Sequence, residues 1–89
     1  MTLERDIEGK VVDIAKKNGW LSFKFVSPAQ RGVPDRIFMK SGRIVFIEFK
    51  AQGKKPTPLQ DHIMRKMVDA GAEVHVCDSI KDGCNALQV

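Results

Sequence analysis

The sequence predicts one small α/β domain, with elements in the order αβββαβ. Apolar residues recur at helical spacing near the N-terminus and again after residue 57. Three segments typical of strands lie between these two helices, and a fourth follows the second helix. Because 89 residues can bury only one modest core, we expect residues 1–89 to form a single domain.

The first helix is predicted over residues 3–18, with Thr2 as its N-cap. Its apolar stripe consists of Leu3, Ile7, Val11 and Ile14. A strand is predicted over residues 20–26, which are rich in aromatic and β-branched side chains. Within this strand, Trp20 and Phe23 are expected to pack in the core rather than to stack on nucleic-acid bases.

Residues 34–40 and 43–50 are predicted to form a β-hairpin around the turn Ser41-Gly42. If residue 40 faces residue 43, the numbers of paired residues sum to 83 throughout the hairpin. Both faces of the two strands are apolar, which is typical of a sheet covered by helices on each side.

This register places two carboxylates, those of Asp35 and Glu48, directly opposite each other on one face of the hairpin. Their Cβ atoms would lie roughly 5 Å apart, a distance at which like charges destabilise a sheet. Lys50 lies two residues beyond Glu48 and therefore points from the same face. Two acids and a lysine at one spot predict a divalent-metal site suited to hydrolysis.

The second helix is predicted to begin with Thr57 as N-cap and Pro58 at its first position, and to end at Gly71. Its apolar stripe consists of Leu59, Ile63, Met67 and Ala70. Residues 72–77 are predicted to form the last strand, and residues 78–89 to carry one or two weak helical turns. The two helices would lie on opposite faces of the sheet or together on one face.

The composition narrows the class of partner. A formal charge of +4 favours a polyanion, and no apolar run is long enough for a membrane span. The charged N-terminal segment argues against a secretion signal. Cys77 and Cys84 are therefore expected to be reduced thiols that pack as small apolar residues. His62 and His75 lack the spacing of metal ligands.

A metal ion needs more than two ligands, and the first helix offers Glu4 and Glu8, four residues apart. Glu8 borders the apolar stripe, so it is either a surface residue at the edge of the core or a ligand, directly or through water. Glu4 is explained by its place in the first turn, where a negative charge favours the helix dipole.

Three sequence features together resemble the PD-(D/E)XK nuclease superfamily, and more narrowly the small standalone VRR-NUC domain of phages and bacteria. They are Gly32-Val33-Pro34-Asp35, Ile47-Glu48-Phe49-Lys50 and Gln60 at the start of a helix. The resemblance extends from Glu4 to about Ser79, and the segment from Glu8 to Gly19 is also similar to archaeal Holliday-junction resolvases. It implies a restriction-endonuclease-like αβββαβ core, with a central mixed sheet flanked by helices.

The resemblance also implies a catalytic site, composed of Asp35, Glu48, Lys50, Glu8 and Gln60. It implies Mg²⁺ or Mn²⁺ held by Asp35, Glu48, the backbone carbonyl of Phe49 and Glu8, with Glu4 as the alternative acid of the first helix. Lys50 would orient or deprotonate the attacking water, or stabilise charge on the phosphate. Gln60 has a second explanation, because Thr57 and Gln60 fit a helix capping box, and the two roles are compatible.

Four basic residues flank the expected site in sequence, and phosphate contacts are their predicted role: Lys24, Arg31, Lys54 and Lys55. The alternative is solvated surface charge. Arg36 alternates with Asp35, so it is expected to face away from the acids and is left outside the site.

The predicted function is therefore a Mg²⁺- or Mn²⁺-dependent DNA endonuclease of the cytoplasm of a bacterium or a phage-infected cell. The resemblance implies a homodimer, and makes branched DNA such as a four-way junction the expected substrate. One alternative is a catalytically inactive nucleic-acid-binding or assembly module of the same fold. Another is a small basic structural protein in which the pairing of residues 35 and 48 is accidental.

Overall fold

The computed structural model describes residues 2–89, which form three helices and one four-stranded sheet. In chain order the elements are α1 (Glu4–Lys17), β1 (Leu21–Lys24), β2 (Arg36–Lys40), β3 (Arg43–Phe49), α2 (Pro58–Asp69), β4 (Glu73–Cys77) and α3 (Ile80–Leu87). The strands lie in the order β1-β2-β3-β4; the first three are antiparallel, and β4 is parallel to β3. The predicted αβββαβ core and mixed sheet are confirmed, with α3 added at the C-terminal end.

The β2–β3 hairpin has the predicted register. Lys40 lies opposite Arg43, and Arg36 lies opposite Ile47, so the residue numbers of each pair sum to 83. Ser41 and Gly42 both have positive φ, 50° and 82°. Positive φ at both turn residues matches the twist of the flanking strands, and this turn therefore fixes the register.

The main core lies on the sheet face that points away from the carboxylates, where α1 and α3 pack. Its buried residues are Ile7, Val11, Val12, Ala15, Trp20, Phe38, Val45, Ile47, Phe49, Cys77 and Leu87. Gly83 of α3 lies so close to α1 that a Cβ atom there would be 2.6 Å from Cγ2 of Val11. The absence of a side chain at this position is what allows α3 to pack on α1.

The second helix, α2, packs on the opposite face of the sheet. Val74 and Val76 of β4 pair with Phe46 and Glu48 of β3, so they share the face that carries the carboxylates. These valines line a common cavity with side chains of α2, among them Met64. Of the two arrangements that the sequence allowed, the structure therefore has helices on both faces.

Several local predictions were wrong at element ends. The residue before α1 is Leu3, which caps the helix without a side-chain hydrogen bond, so Thr2 is not the N-cap. The first strand is shorter than predicted. Trp20 is buried as expected, but Phe23 is half exposed because no helix covers its side of β1.

The C-terminal segment, predicted to carry one or two weak helical turns, forms the two-turn helix α3. Its N-cap is Ser79, whose Oγ accepts a hydrogen bond from the N–H of Asp82. Cys77 is buried and Cys84 half-buried, and both thiols are free, as predicted. Among residues 2–89, no helix is both long and apolar enough to cross a bilayer.

Candidate active site

Asp35 and Glu48 are brought together by the ends of the hairpin strands. Glu48 lies near the end of β3 and is only 2% exposed. Asp35 directly precedes β2, and its Oδ2 accepts a hydrogen bond of 2.8 Å from the backbone N–H of Phe49. Since Phe49 is the last residue of β3, this bond holds the Asp35 carboxylate against the strand end that carries Glu48.

Lys50 is the cation beside this pair. Its Nζ lies 3.1 Å from Oε2 of Glu48, and its side chain is mostly buried. The other carboxylate oxygen of Glu48, Oε1, is buried and has no hydrogen-bond partner within residues 2–89. Leaving a buried acceptor unpaired costs about 1–3 kcal/mol, and more for a charged group. The pair is thus arranged at the expense of stability, with an oxygen open to a proton or a cation.

The electrostatics of the two carboxylates reflect the same arrangement. Burial, and then the charge of Asp35, raise the pKa of Glu48 to about 7, against Lys50, which acts to lower it. Burial also raises the pKa of Asp35, against the hydrogen bond from Phe49, which lowers it. Near neutral pH the pair therefore favours binding a positive charge.

Glu4 and Glu8 of α1 both lie near this pair. Oε2 of Glu8 accepts a hydrogen bond of 2.7 Å from Nε of Arg36, and both side chains are mostly buried. The charge of Glu8 still raises the pKa of Asp35. Burial, and then the charge of Asp35, raise the pKa of Glu4, and Glu4 in turn raises that of Glu48. Both glutamates thus border the site, and Glu8 carries a cationic partner.

That partner, Arg36, was left outside the predicted site. Strand alternation correctly placed Arg36 on the face away from Asp35. It did not predict which element covers that face. Because α1 packs there, the Arg36 side chain meets Glu8 and is linked to the site through it. An amphipathic first helix with an acid at the edge of its apolar stripe was the available signal, but pairing it with residue 36 required the packing.

The donor set suits a small, hard dication only in part. Asp35 and Glu48 offer carboxylate oxygens, the ligand type that Mg²⁺ and Mn²⁺ prefer, and Oε1 of Glu48 lacks a hydrogen-bond partner among residues 2–89. Across the described part of the chain, however, no three His, Cys, Asp or Glu side chains converge as a ready ligand cluster. An ion here would rely on these two carboxylates, with backbone oxygen and water completing its shell.

Comparison with known proteins identifies the family. No family model matches the sequence. The chain is 44% identical over 77 residues to the protein named "Putative nuclease p44" of Acyrthosiphon pisum secondary endosymbiont phage 1, covering 85% of this chain and 83% of that protein. Its fold matches a solved structure described as "VRR_NUC domain", with a TM-score of 0.88 and 26% identity over 99% of this chain and 97% of that one. The chain belongs to the VRR-NUC nuclease family.

In this VRR-NUC chain, Gln60 acts as a helix cap. Its Oε1 accepts a hydrogen bond of 3.0 Å from the N–H of Thr57, and Oγ1 of Thr57 accepts one of 3.2 Å from the N–H of Gln60. The predicted capping box is therefore confirmed. A catalytic role for Gln60 stays a prediction.

The four basic residues predicted to contact phosphate are all exposed: Lys24, Arg31, Lys54 and Lys55. Lys24 ends β1, next to Phe25, whose N–H donates to the carbonyl of Asp35 at 2.8 Å. The loop with the two lysines follows Lys50 and is held at Gly53, whose N–H donates to Asp78. Their positions are compatible with phosphate contacts, which remain a prediction for this VRR-NUC chain.

Proposed function

We propose that this VRR-NUC protein is a metal-dependent endonuclease that hydrolyses phosphodiester bonds of DNA. The observation that carries the proposal is the meeting of Asp35 with buried Glu48, one oxygen of which has no hydrogen-bond partner among residues 2–89, with Lys50 at 3.1 Å from the other oxygen. The formal charge of +4 supports a polyanionic substrate. We place this activity in the cytoplasm of a bacterium or a phage-infected cell.

The residues proposed to hold Mg²⁺ or Mn²⁺ are Asp35, Glu48 and the backbone carbonyl of Phe49, with Glu8 contributing through water. When bound, such an ion would polarise a phosphate oxygen and lower the pKa of a water molecule. The N–H of Phe49 keeps the Asp35 carboxylate oriented toward Glu48. Arg36 holds the Glu8 carboxylate at the border of the site.

Lys50 is the proposed group that acts on the reacting atoms. Its ammonium is mostly buried, so its charge is less screened than that of a surface lysine. In this position it donates hydrogen bonds to the attacking water or to the phosphate oxygen on which negative charge develops. Removing a preorganised donor of this kind typically costs about 100- to 1,000-fold in rate.

We further propose that the substrate is branched DNA, such as a four-way junction, and that the enzyme acts as a homodimer. The similarity of the first helix to junction resolvases supports the choice of substrate. A subunit of 89 residues offers little surface for a duplex, which supports the dimer. Exposed Lys24, Arg31, Lys54 and Lys55 would contact phosphates, so binding should weaken as salt rises.

The test is a cleavage assay on junction, flap and linear DNA with Mg²⁺, Mn²⁺ or EDTA. The wild type should cut at least one substrate only when metal is present. Asp35→Ala and Lys50→Ala should each lower the rate by about 100-fold or more. The matched control is Lys81→Ala, which removes an exposed lysine of α3 and should leave the rate unchanged.

Binding measurements complete the test. Mn²⁺ binding, followed by calorimetry, should be lost in Asp35→Ala, while the circular dichroism spectrum stays that of a folded protein. A wild type that binds DNA but cuts none of the substrates would contradict the catalytic proposal. That result would instead support the alternative, an inactive nucleic-acid-binding module of the same fold.

A further inference from the structure

The edge of the sheet that β4 forms is open to an added strand. β4 pairs with β3 on one side and with no strand on the other. The carbonyl of Cys77 accepts a hydrogen bond of 2.9 Å from the N–H of Lys50, which follows β3. Alternate residues of a parallel strand bond to its neighbour, so the backbone groups of Val74 and Val76 point outward. Among residues 2–89, no group outside the sheet bonds to them.

The β4 edge also lacks the features that protect other edges. Natural sheets block pairing at an exposed edge with lysine, proline, bulges or very short strands. The other edge strand, β1, has four residues and ends in Lys24. β4 has five residues in continuous register with β3, and none is lysine or proline. Its one acid, Glu73, is already bound to Arg43.

An apolar cavity lies beside this edge on the face covered by α2. Its apolar lining consists of Met64, Val68, Val74 and Val76. Val68 is 51% exposed and Val76 is 43% exposed, so much of this lining faces solvent. Its charged lining residues are Asp61, Arg65 and Asp69. Since Arg65 is paired with Asp61 at 2.9 Å, Asp69 leaves the cavity with a net negative charge.

A second cavity lies beside the same edge on the other face of the sheet, and it is polar. It is formed between β4 and α3, where its polar lining residues are His75, Asp82 and Asn85. Asp82 is exposed and supplies a carboxylate. Both sides of the β4 edge therefore carry negative charge, although the whole chain has a formal charge of +4.

We infer that the β4 edge is a docking site for an extended, basic segment of a partner protein, which adds to the sheet as a fifth strand. In this mode of recognition, main-chain hydrogen bonds supply affinity, and pockets for alternate side chains supply specificity. The outward groups of Val74 and Val76 would make the main-chain bonds. Because strand side chains alternate between faces, apolar residues at every second position would enter the α2 cavity, and lysines or arginines between them would face Asp82.

The charge of the edge argues against two other occupants. If the β4 edges of two copies of this chain paired, the Asp69 and Asp82 carboxylates of both copies would be brought into one interface. Like charges across an interface oppose association. Nucleic acid is disfavoured for the same reason, since its phosphates would approach these carboxylates. A basic polypeptide has the complementary charge.

The docked segment would lie beside the strand that carries the candidate site. Adjacent strands are about 4.8 Å apart, so a strand added to β4 would be about 10 Å from β3. Val76, which pairs with Glu48, would contact the segment directly. The inference goes beyond the proposed nuclease activity, because it concerns how the protein is held by another protein and requires neither metal nor DNA.

The experiment uses a capped heptapeptide that alternates lysine and valine, titrated into the full chain by calorimetry. The wild type should bind it with a Kd of about 100 μM or tighter. Exchange of the Val74 and Val76 amide hydrogens should slow by about tenfold or more, because these groups gain hydrogen bonds. A peptide of the same composition with contiguous valines, and one with glutamate in place of lysine, should each bind about tenfold more weakly or worse.

Two variants test the two parts of the docking site. Val68→Lys removes an apolar side chain from the cavity and adds a repelling charge, so it should weaken peptide binding by about tenfold or more. Val74→Pro removes an outward N–H, a change that an edge strand tolerates, and should weaken binding as well. The matched control is Val26→Lys, the same change at a valine that is 75% exposed in the loop after β1. It should bind like the wild type.

Several results would overturn the inference. They are no binding of the alternating peptide at about millimolar concentration, equal binding of either control peptide, and an equal loss in Val26→Lys. Slower exchange at Val74 and Val76 on adding a DNA duplex alone, or on raising the protein concentration alone, would assign the edge to nucleic acid or to a second copy instead. Val68→Lys should cut DNA at the wild-type rate, so failure of the docking site and failure of the proposed nuclease are read separately.

Discussion

Two glutamates lie toward opposite ends of the parallel pair β3–β4, and the protein treats their charges in opposite ways. Near the end of β3, burial and Asp35 raise the pKa of Glu48 to about 7. At the start of β4, Glu73 accepts hydrogen bonds from Arg43, one of them 3.0 Å long from Nε, and its pKa is lowered to about 2. His75 lies 2.8 Å from Glu73 and adds to that shift.

The Glu73 end of the sheet is built for stability. The guanidinium of Arg43 also donates to the carbonyl of Ala86 at 2.8 Å and to Oε1 of Gln88 at 3.2 Å, which ties the C-terminal helix to the hairpin. It lies 5.7 Å from the ring centroid of Trp20, within the range of a cation–π contact. Both carboxylate oxygens of Glu73 have a donor, whereas one oxygen of Glu48 has none in the described part of the chain.

The difference teaches how a site is distinguished from a structural ion pair on the same sheet. A carboxylate that serves the fold is paired and keeps its charge, so its pKa falls. A carboxylate prepared for a ligand is buried beside another acid, and its pKa rises until a cation arrives. A shifted pKa alone does not distinguish these two kinds of carboxylate, but the direction of the shift and its physical cause do.

The largest expected effect concerns the pH dependence of stability in EDTA. Because the folded-state pKa of Glu48 is above its ordinary value of 4.5, the folded state holds the proton more tightly. Protonated Glu48 therefore contributes fully to the free energy of unfolding below about pH 4.5. This contribution, of the order of 2–3 kcal/mol, is lost as pH rises to about 7. Urea unfolding between pH 5 and 8 measures this loss.

Glu48→Gln is the control for this slope, because it keeps the size of the side chain and removes its titration. The free energy of unfolding of the variant should depend less on pH over the same range. A residual decline is expected from Asp35, whose pKa is also raised. Identical pH dependence of stability in the wild type and the variant would show that Glu48 is not the titrating group. The contrast between Glu48 and Glu73 would then fail on the Glu48 side.

A smaller effect is expected for Glu73→Gln. The variant loses a charge-assisted pair with Arg43, and about one-third of each side chain is exposed, so the cost should be about 1 kcal/mol. That corresponds to a fall in Tm of about 4–8 °C at neutral pH. The wild-type advantage should be full above about pH 4.5 and disappear as pH falls toward 2, since the folded-state pKa of Glu73 is lowered.

The activity of Glu73→Gln sharpens the contrast. Glu73 pairs with Val45, three residues before Glu48 on β3, so its loss should leave DNA cleavage unchanged at temperatures where the variant is folded. A loss of activity comparable to that of Lys50→Ala would contradict the division of the sheet into a structural end and a functional end.

The smallest effect is expected for Gln60→Ala at the start of α2. Removing one half of the capping box should lower the free energy of unfolding by about 0.5–1 kcal/mol. If Gln60 serves only the helix, its role is structural, like that of Glu73. The cleavage rate of the variant should then stay within about twofold of the wild type, a change of about 0.4 kcal/mol in the activation free energy. Thr57→Ala is the matched control, since it removes the other half of the same box.

Local chemistry made much of the fold and site predictable. The Ser41-Gly42 turn set the register of the hairpin up to Arg36 and Ile47, and Asp35 and Glu48 are the next residues along the two strands, because strand side chains alternate and a two-residue turn admits one register. The Thr57–Gln60 cap was predictable for the same reason, since its partners are three residues apart. Element ends were less predictable, as the missing cap at Thr2 illustrates, because a cap competes with other local contacts.

The sequence by itself determined the element order, the hairpin register and the meeting of two acids with Lys50, since these depend on neighbours in the chain or across one turn. Only the tertiary structure decided that α1 brings Glu8 against Arg36, that α3 leaves the tail buried, and that α2 leaves Phe23 exposed. These contacts join residues far apart in the chain. They depend on which faces the helices cover, and this is settled by packing rather than by local pattern.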